Sequence, residues 1–179
     1  MKTITKFQTI ESFETSRLYA RRLNEDDFNL ILSTYQNEKI MQTLGGVISE
    51  EAAYKKFTWN LERWEKNGFG SWLWFEKKSK QFIGRAGLRC MELENRPIVE
   101  VGYVLLPLFW NQGFATEITS ACIEIAFEQL MLKELVCFTL TTNKASQRVM
   151  EKVGFKFDHN FLYDGEPHVL YSLKNNHYR

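Results

Sequence analysis

Proline and glycine are scarce, with three and ten among 179 residues. No Pro/Gly/Ser linker, internal repeat or low-complexity tract interrupts the chain. One continuous domain over 1–179 is expected, with 1–13 as an N-terminal extension. Cysteine is equally sparse. Cys90, Cys122 and Cys137 are widely spaced, odd in number and without C-x-x-C, which argues against a disulfide framework and a zinc site. Cys137, inside the apolar run Leu135–Phe138, reads as a core residue. No metal is expected. No segment approaches the ~20 apolar residues that span a bilayer, and Met1–Lys6 has no apolar run after its lysines, as a signal peptide requires. A cytoplasmic protein without membrane association is expected. Net charge is only +1 and the sequence pI is near 7.7, so nucleic acid is not an expected partner.

What the chain does have is apolar material. Hydrophobic residues make up 44% and aromatics 15%, enough for a core, and charge is too dilute for disorder. Leu18–Leu23 reads as a first strand. Asn24 then caps a helix with Glu25, Asp26 and Asp27 in its first turn and Phe28, Ile31, Leu32 and Tyr35 on its apolar face. After Gly45-Gly46, Ser49 caps a second helix with a stripe of Ala53, Phe57, Leu61 and Trp64, ended by Asn67-Gly68. Strands follow at 71–76, 82–88 and 98–105, with turns at Lys77–Lys80 and Glu94–Pro97. Gly84 and Gly87 are read as sites of close approach. A helix from about Ala115 to Leu130 turns Ile118, Cys122, Ile125 and either Phe127 or Leu130 inward. A strand at 135–141, a short helix at 146–152 stopped by Gly154, and strands at 155–161 and 169–173 complete the chain. Seven strands interspersed with about four helices, with hairpins in the middle, make a mixed α+β layer fold.

The stretch Glu100–Glu117 carries the chemistry. A strand ends, a loop passes through Gly113, and a helix begins whose first N–H groups lack intrahelical partners. With the macrodipole, such a terminus binds a diphosphate without any lysine. Gly113 admits close backbone approach and Ala115 keeps the surface low. Downstream, Asn143 caps and Gly154 stops a helix through Ser146, Arg148, Val149 and Lys152.

Together these pieces resemble the GNAT superfamily, whose phosphate motif is Arg/Gln-x-x-Gly-x-Gly/Ala. Gly113 and Ala115 match its second and third fixed positions, and Trp110 departs from the first. Trp110-x-x-Gly113-x-Ala115-Thr116-Glu117 is similar to the branch containing ribosomal-protein N-terminal acetyltransferases. So are Asn143-x-x-Ser146-x-x-Val149-x-x-x-Val153-Gly154-Phe155, Glu100–Tyr103 and the opening Glu14–Leu23. The resemblance implies a twisted, mostly antiparallel sheet splayed between its fourth and fifth strands, with acetyl-CoA in the gap. It implies direct attack by an amine, without an acyl-enzyme. Tyr103, Val104, Leu105, Gln112, Gly113, Phe114, Ala115, Thr116, Asn143, Ser146 and Arg148 are the expected acetyl-CoA contacts. The acceptor is a primary amine, either a protein N-terminus or a small molecule; a non-catalytic acyl-CoA-binding module is the competing class. A monomer or homodimer is expected.

Roles follow from the same resemblance. Glu100 is the candidate base, against a strand carboxylate in a salt bridge. The Leu105 N–H is the candidate oxyanion donor, with Leu106 as the alternative. Relatives often place a tyrosine acid where Met150 stands here, which leaves Ser146 as the hydroxyl near the leaving thiolate, against a capping role. Phe69, Trp72, Trp74, Tyr103 and Trp110 either line an acceptor pocket or fill the core. His168 stands where acceptors bind or is simply exposed, and Lys144 and Arg148 either meet the 3′-phosphate or are solvated. The Asp164-Gly165-Glu166 turn either attracts a cationic acceptor or is solvated.

Overall fold

The structure is a computed structural model that describes residues 10–175; Met1–Lys6, read above for a signal peptide, lie outside them. Its strands are β1 (Ser12–Glu14), β2 (Leu18–Arg22), β3 (Ser71–Glu76), β4 (Phe82–Leu93), β5 (Arg96–Leu105), β6 (Glu134–Leu140), β7 (Lys156–Tyr163) and β8 (Glu166–Lys174). They form one sheet in the order β1-β2-β3-β4-β5-β6-β8-β7, antiparallel throughout except where β5 meets β6. The fold is the expected α+β GNAT architecture with one more strand than seven. Ser12 and Phe13 of the expected N-terminal extension, with Glu14 after them, pair with β2, and Ile10 before them is buried. Such a short edge strand has no alternation to betray it.

The first helix opens with a 3-10 turn, Glu25–Asp27, in a capping box: the Asn24 side chain accepts from the Asp26 N–H while the Asp27 carboxylate accepts from the Asn24 N–H. It continues as α1 (Phe28–Tyr35). A single turn, α2 (Glu38–Met41), is too short for periodicity to reveal. In α3 (Glu50–Asn67) Ser49 accepts from the Ala52 N–H, and Ala53, Phe57 and Trp64 are buried while Leu61 is half-buried. After α4 (Phe114–Glu124) the chain widens into a π turn, Ile125–Gln129. That extra residue per turn brings Leu130 into the core and leaves Phe127 half-buried. The last helix is α5 (Lys144–Lys152).

The β4–β5 hairpin is longer than its apolar runs suggest. Its register continues to Leu93↔Arg96, closed by Glu94 and Asn95, both at positive φ (49° and 59°). Only Glu94-Asn95 is therefore turn, and Arg96-Pro97 already belongs to β5. The extension places Arg89 directly opposite Glu100.

Directly paired strand residues share a face. One face, carrying Leu73, Arg85, Arg89, Glu100 and Phe138, lies on the side of α1 and α3. The other, carrying Trp72, Trp74, Val101, Tyr103 and Cys137, lies on the side of α4 and α5. Gly87 is where two strands crowd: a Cβ there would stand 2.1 Å from the Gly70 carbonyl oxygen. Among the described residues no helix is long and apolar enough to cross a membrane.

Candidate active site

The strands β5 and β6 pair in parallel at one position only, Glu100↔Val136. Beyond it no ladder bond joins them, and a gap opens between their C-terminal halves. On the other flank β5 stays in register with β4, where the Leu106 N–H donates to the Ile83 carbonyl at 2.8 Å. Antiparallel alternation then turns the Leu105 N–H and C=O away from β4, toward the gap. The Leu105 carbonyl accepts from the Trp110 indole N–H at 2.8 Å. Leu106, the alternative oxyanion donor, has its amide committed to the sheet; Leu105 does not. Trp110 fastens the start of the turn before α4 to the end of β5, which gives its departure from the motif a structural role.

The turn itself runs through a 3-10 segment (Pro107–Phe109) into Gly113, the N-cap of α4, with φ of 79°. This left-handed conformation suits glycine and strains any other residue. No side chain caps α4. Its first intrahelical bond is Glu117 N–H to the Gly113 carbonyl, 3.1 Å, so the Phe114, Ala115 and Thr116 N–H groups precede the ladder. Of the expected contacts here, Gln112 and Gly113 are exposed and Ala115 and Thr116 half-buried. The Phe114 ring is buried against Phe109, which leaves its amide as the group available to a ligand.

Arg17 is at this turn as well. Its guanidinium donates to the Gln112 carbonyl (2.9 Å) and to Glu117 (2.7 Å) and lies 4.3 Å above the Phe114 ring. Glu117 further accepts from Thr15 Oγ1, Ser16 Oγ and the Arg17 N–H at 2.5–3.0 Å. Sequence reasoning included this segment only within a resembling stretch. Its partner lies a hundred residues away, and spacing does not show that.

On the far side of the gap Asn143 caps α5, its side chain accepting from the Ser146 N–H at 3.2 Å. The Ser146 hydroxyl lies 2.8 Å from the Tyr103 hydroxyl, so a hydrogen bond links β5 to α5 across the gap. Burial pushes the Tyr103 phenol up to about 12. Lys144 and Arg148 are exposed, with Lys144 Nζ donating to Gln147.

Glu100 faces the α3 side. It is buried; its Oε2 accepts from Arg89 Nε at 2.7 Å, and Arg89 Nη2 lies at the same distance in the ion pair. The salt bridge is thus present, and Oε1 lies outside the pair. Burial alone would lower the Arg89 guanidinium, but Glu100 outweighs it and raises it. Arg63, on α3, is lowered by burial and by the neighbouring Arg89. Its guanidinium stacks 3.5 Å over the Trp59 ring. Phe138, Phe161, Tyr163 and His168 form an aromatic cluster on the same face, with centroids 4.9–6.4 Å apart.

Of the aromatics considered for an acceptor pocket, Trp72 and Trp74 are fully buried, their indole N–H groups donating to the Ile10 and Ala86 carbonyls, and Phe69 is buried too. These three are core. Tyr103 and Trp110 border the gap, and His168 joins the aromatic cluster. The Phe138 cluster and the Arg63–Arg89 pair escaped the sequence, because their proximity depends on hairpin register and on helix placement. Cys137 is buried as expected, and among the described residues no three His, Cys, Asp or Glu side chains gather in a metal-binding group.

Comparison with known proteins agrees with this geometry. Residues 17–156 match the acetyltransferase (GNAT) domain family. The chain is 30% identical over 146 residues to the uncharacterised N-acetyltransferase YoaA of Bacillus subtilis, covering 80% of this chain and 81% of that one. It is 28% identical over 167 residues to the FsC-acetyl coenzyme A-N(2)-transacetylase of Aspergillus fumigatus, covering 87% and 70%. The solved acetyltransferase of Agrobacterium tumefaciens is similar with a TM-score of 0.80 at 25% identity, over 94% of this chain and 97% of that one. A splayed sheet, an uncapped helix behind a left-handed glycine and a family match over most of its length place the chain in the GNAT family of acetyl-CoA-dependent N-acetyltransferases.

Proposed function

We propose that this enzyme acetylates an α-amine, with acetyl-CoA entering the β5–β6 gap from the α4–α5 side and the acceptor from the α1–α3 side. The observation that carries the reading is the single Glu100↔Val136 pair. It leaves the Leu105 N–H facing an open gap with α4's free amides at one end and Glu100 beside its apex. Those amides and Gly113 suit a diphosphate. The amine lone pair attacks the thioester carbon, the Leu105 N–H receives the developing oxyanion, and the C–S bond breaks with its electrons leaving on sulfur. The proton shed by the nitrogen goes to Glu100, directly or through a water.

The leaving thiolate lies toward Tyr103 and Ser146. A thiol near ~8.5 is a much weaker base than a phenol at about 12 requires, and full transfer from Tyr103 would cost roughly 4–5 kcal/mol. The hydroxyl pair therefore serves as a hydrogen-bond donor to the thiolate rather than as its acid. An α-amine near ~7.8 is roughly a tenth to a fifth neutral at pH 7, whereas a lysine amine near ~10.4 is under about a thousandth neutral. One carboxylate already held by Arg89 suits the former. The Trp110–Glu117 motif supports a polypeptide N-terminus as the acceptor. A small-molecule α-amine is favoured by a different feature, the Arg63 guanidinium discussed below.

Thiol release from acetyl-CoA against a panel of peptides, amino-acid derivatives and polyamines tests the acceptor. α-Amines are expected to lead at pH 7, and a lead by polyamines would reverse the assignment. Gly113→Glu, which adds bulk and negative charge at a left-handed position, is expected to abolish acetyl-CoA binding in a calorimetric titration. Unchanged affinity would remove the phosphates from this turn.

A further inference from the structure

Arg63 Nη1 is shut off from solvent and is the one buried side-chain nitrogen or oxygen among the described residues with no hydrogen-bond partner. Interiors seldom leave such a group unmatched, and a charged one is costlier than a neutral one. The guanidinium lies 3.5 Å over the ring of Trp59, one turn earlier on α3, a contact that favours this position. It senses both Arg89 and Glu100, so the three groups share one neighbourhood. Two guanidinium charges meet one carboxylate there, and that carboxylate is already taken by Arg89 through a hydrogen bond and an ion pair. One positive charge is left over in a partly dry place. Also facing Arg89 are Tyr35 and Tyr163, and Cys90 lies near Arg63.

We infer that the acceptor carries a carboxylate beside its amine, and that Arg63 binds it. This rests on the acetyltransferase reading of the same cleft. A monoanion balances the surplus, whereas a phosphate dianion would overshoot it and a polyamine would add to it. Guanidinium and carboxylate match as planar, charge-assisted partners. Glu100 must receive the proton of the same molecule, so amine and carboxylate are a few bonds apart, as in an α-amino acid. The half-buried Phe138, Phe161 and Tyr163 on the same face provide a surface for an apolar side chain. Neutralising the carboxylate also serves the chemistry: a free carboxylate holds its neighbouring ammonium protonated, and Arg63 relieves that hold.

The test uses products, which lack the titrating amine. N-acetyl amino acids with aliphatic and aromatic side chains compete against turnover, each beside its own carboxamide, in the wild type, Arg63→Gln and Arg63→Lys. For at least one side chain the acid is expected to inhibit roughly ten- to a hundredfold better than its amide, the range for a hydrogen bond to a charged group. In Arg63→Gln, checked for a native unfolding transition, that advantage falls to within about twofold, and Arg63→Lys keeps part of it, as a point charge without the fork does. Acetyl-CoA KM stays put in both. If no acid outcompetes its amide in the wild type, or the advantage survives in Arg63→Gln, the inference is overturned while acetyl transfer stands. If no amine of any kind releases thiol from acetyl-CoA, the acetyltransferase reading falls and takes the inference with it.

Discussion

Glu100 and Arg89 form a pair that packing requires and to which the proposed reaction gives a second role. A buried carboxylate on a central strand needs a partner, and hairpin register supplies Arg89 directly across from it. The hydrogen bond and the ion-pair contact both fall on Oε2, so the second oxygen is outside the pair. Gly102, next along the same face, keeps the space beside the carboxylate low: a Cβ there would stand 3.7 Å from Oε2. Replacing Glu100 by Gln preserves shape and removes the proton acceptor. We expect kcat to fall by ~10²–10⁴ at neutral pH. The sign with pH follows from the acceptor: as pH rises the amine becomes neutral unaided, so the deficit shrinks. Tyr103, with its phenol up at about 12, stays protonated across that range and adds no limb to the profile. A pH–rate profile of Glu100→Gln with wild-type height and shape would leave Glu100 as half of a structural ion pair.

At the scale of elements, the turn before α4, proposed to hold the cosubstrate's phosphates, is held by the chain segment before β2. Thr15, Ser16 and Arg17 all converge on Glu117 in the first turn of α4, and Arg17 also grips the Gln112 carbonyl. Burial pushes the Glu117 carboxyl up, but hydrogen bonds from Thr15, the Arg17 N–H, the Arg17 guanidinium and Ser16 bring it below the ordinary range. Its stabilisation is therefore present above the unfolded value, ~4.3, and is lost as pH falls through the lower folded value. Glu117→Gln is expected to cost about 1–3 kcal/mol at pH 7, with the gap closing toward pH ~3. Urea unfolding at both pH values measures this, and an equal gap at both would remove the carboxylate's charge from the account. Local rules revealed the elements that end in strong signals. Asn24, Ser49 and Asn143 cap helices because their side chains match orphan amides, and Gly113 was legible because a left-handed N-cap admits little else. The elements that local rules missed have no such marks. Ser12–Glu14 and Glu38–Met41 are too short for a period. The Glu94–Pro97 turn was legible but drawn two residues too long, since Arg96-Pro97 already pairs in β5, and the helix through Ile125 was legible but not the π turn that changes its period. Arg63 and Arg89 were invisible as a pair for a related reason: one is fixed by register and the other by how α3 lies on the sheet, and both are set by tertiary packing.

For the whole molecule, a net charge of +1 says little, and where the charges lie says more. The sheet separates two sets of groups by face: the uncapped amides of α4 on one side, proposed above for the anionic cosubstrate, and Arg63, Arg89 and Glu100 on the α3 side, proposed for the acceptor. The β7–β8 turn carries Asp164 and Glu166, both exposed, just beyond Tyr163 on the acceptor face. If the acceptor were a cation, those carboxylates would attract it, and neutralising them would raise its KM. An acceptor that carries a carboxylate for Arg63 is a net anion only where its amine is neutral, well above the amine's ~7.8; at such pH they oppose its approach, and Asp164→Asn with Glu166→Gln is expected to lower its KM. The charges are solvated and the Debye length is about 10 Å at 0.1 M salt, so the effect is at most roughly threefold and fades as salt rises. Acetyl-CoA KM, governed on the other face, is expected to stay constant. The measurement is acceptor KM for wild type and double variant at low and high ionic strength, with one anionic and one cationic acceptor. A fall for the anionic acceptor at low salt alone places the turn at the mouth of a cleft built for anions. A rise for the cationic one assigns it the opposite charge preference, against the surplus at Arg63. A KM indifferent to both substitution and salt takes the turn out of the acceptor's path.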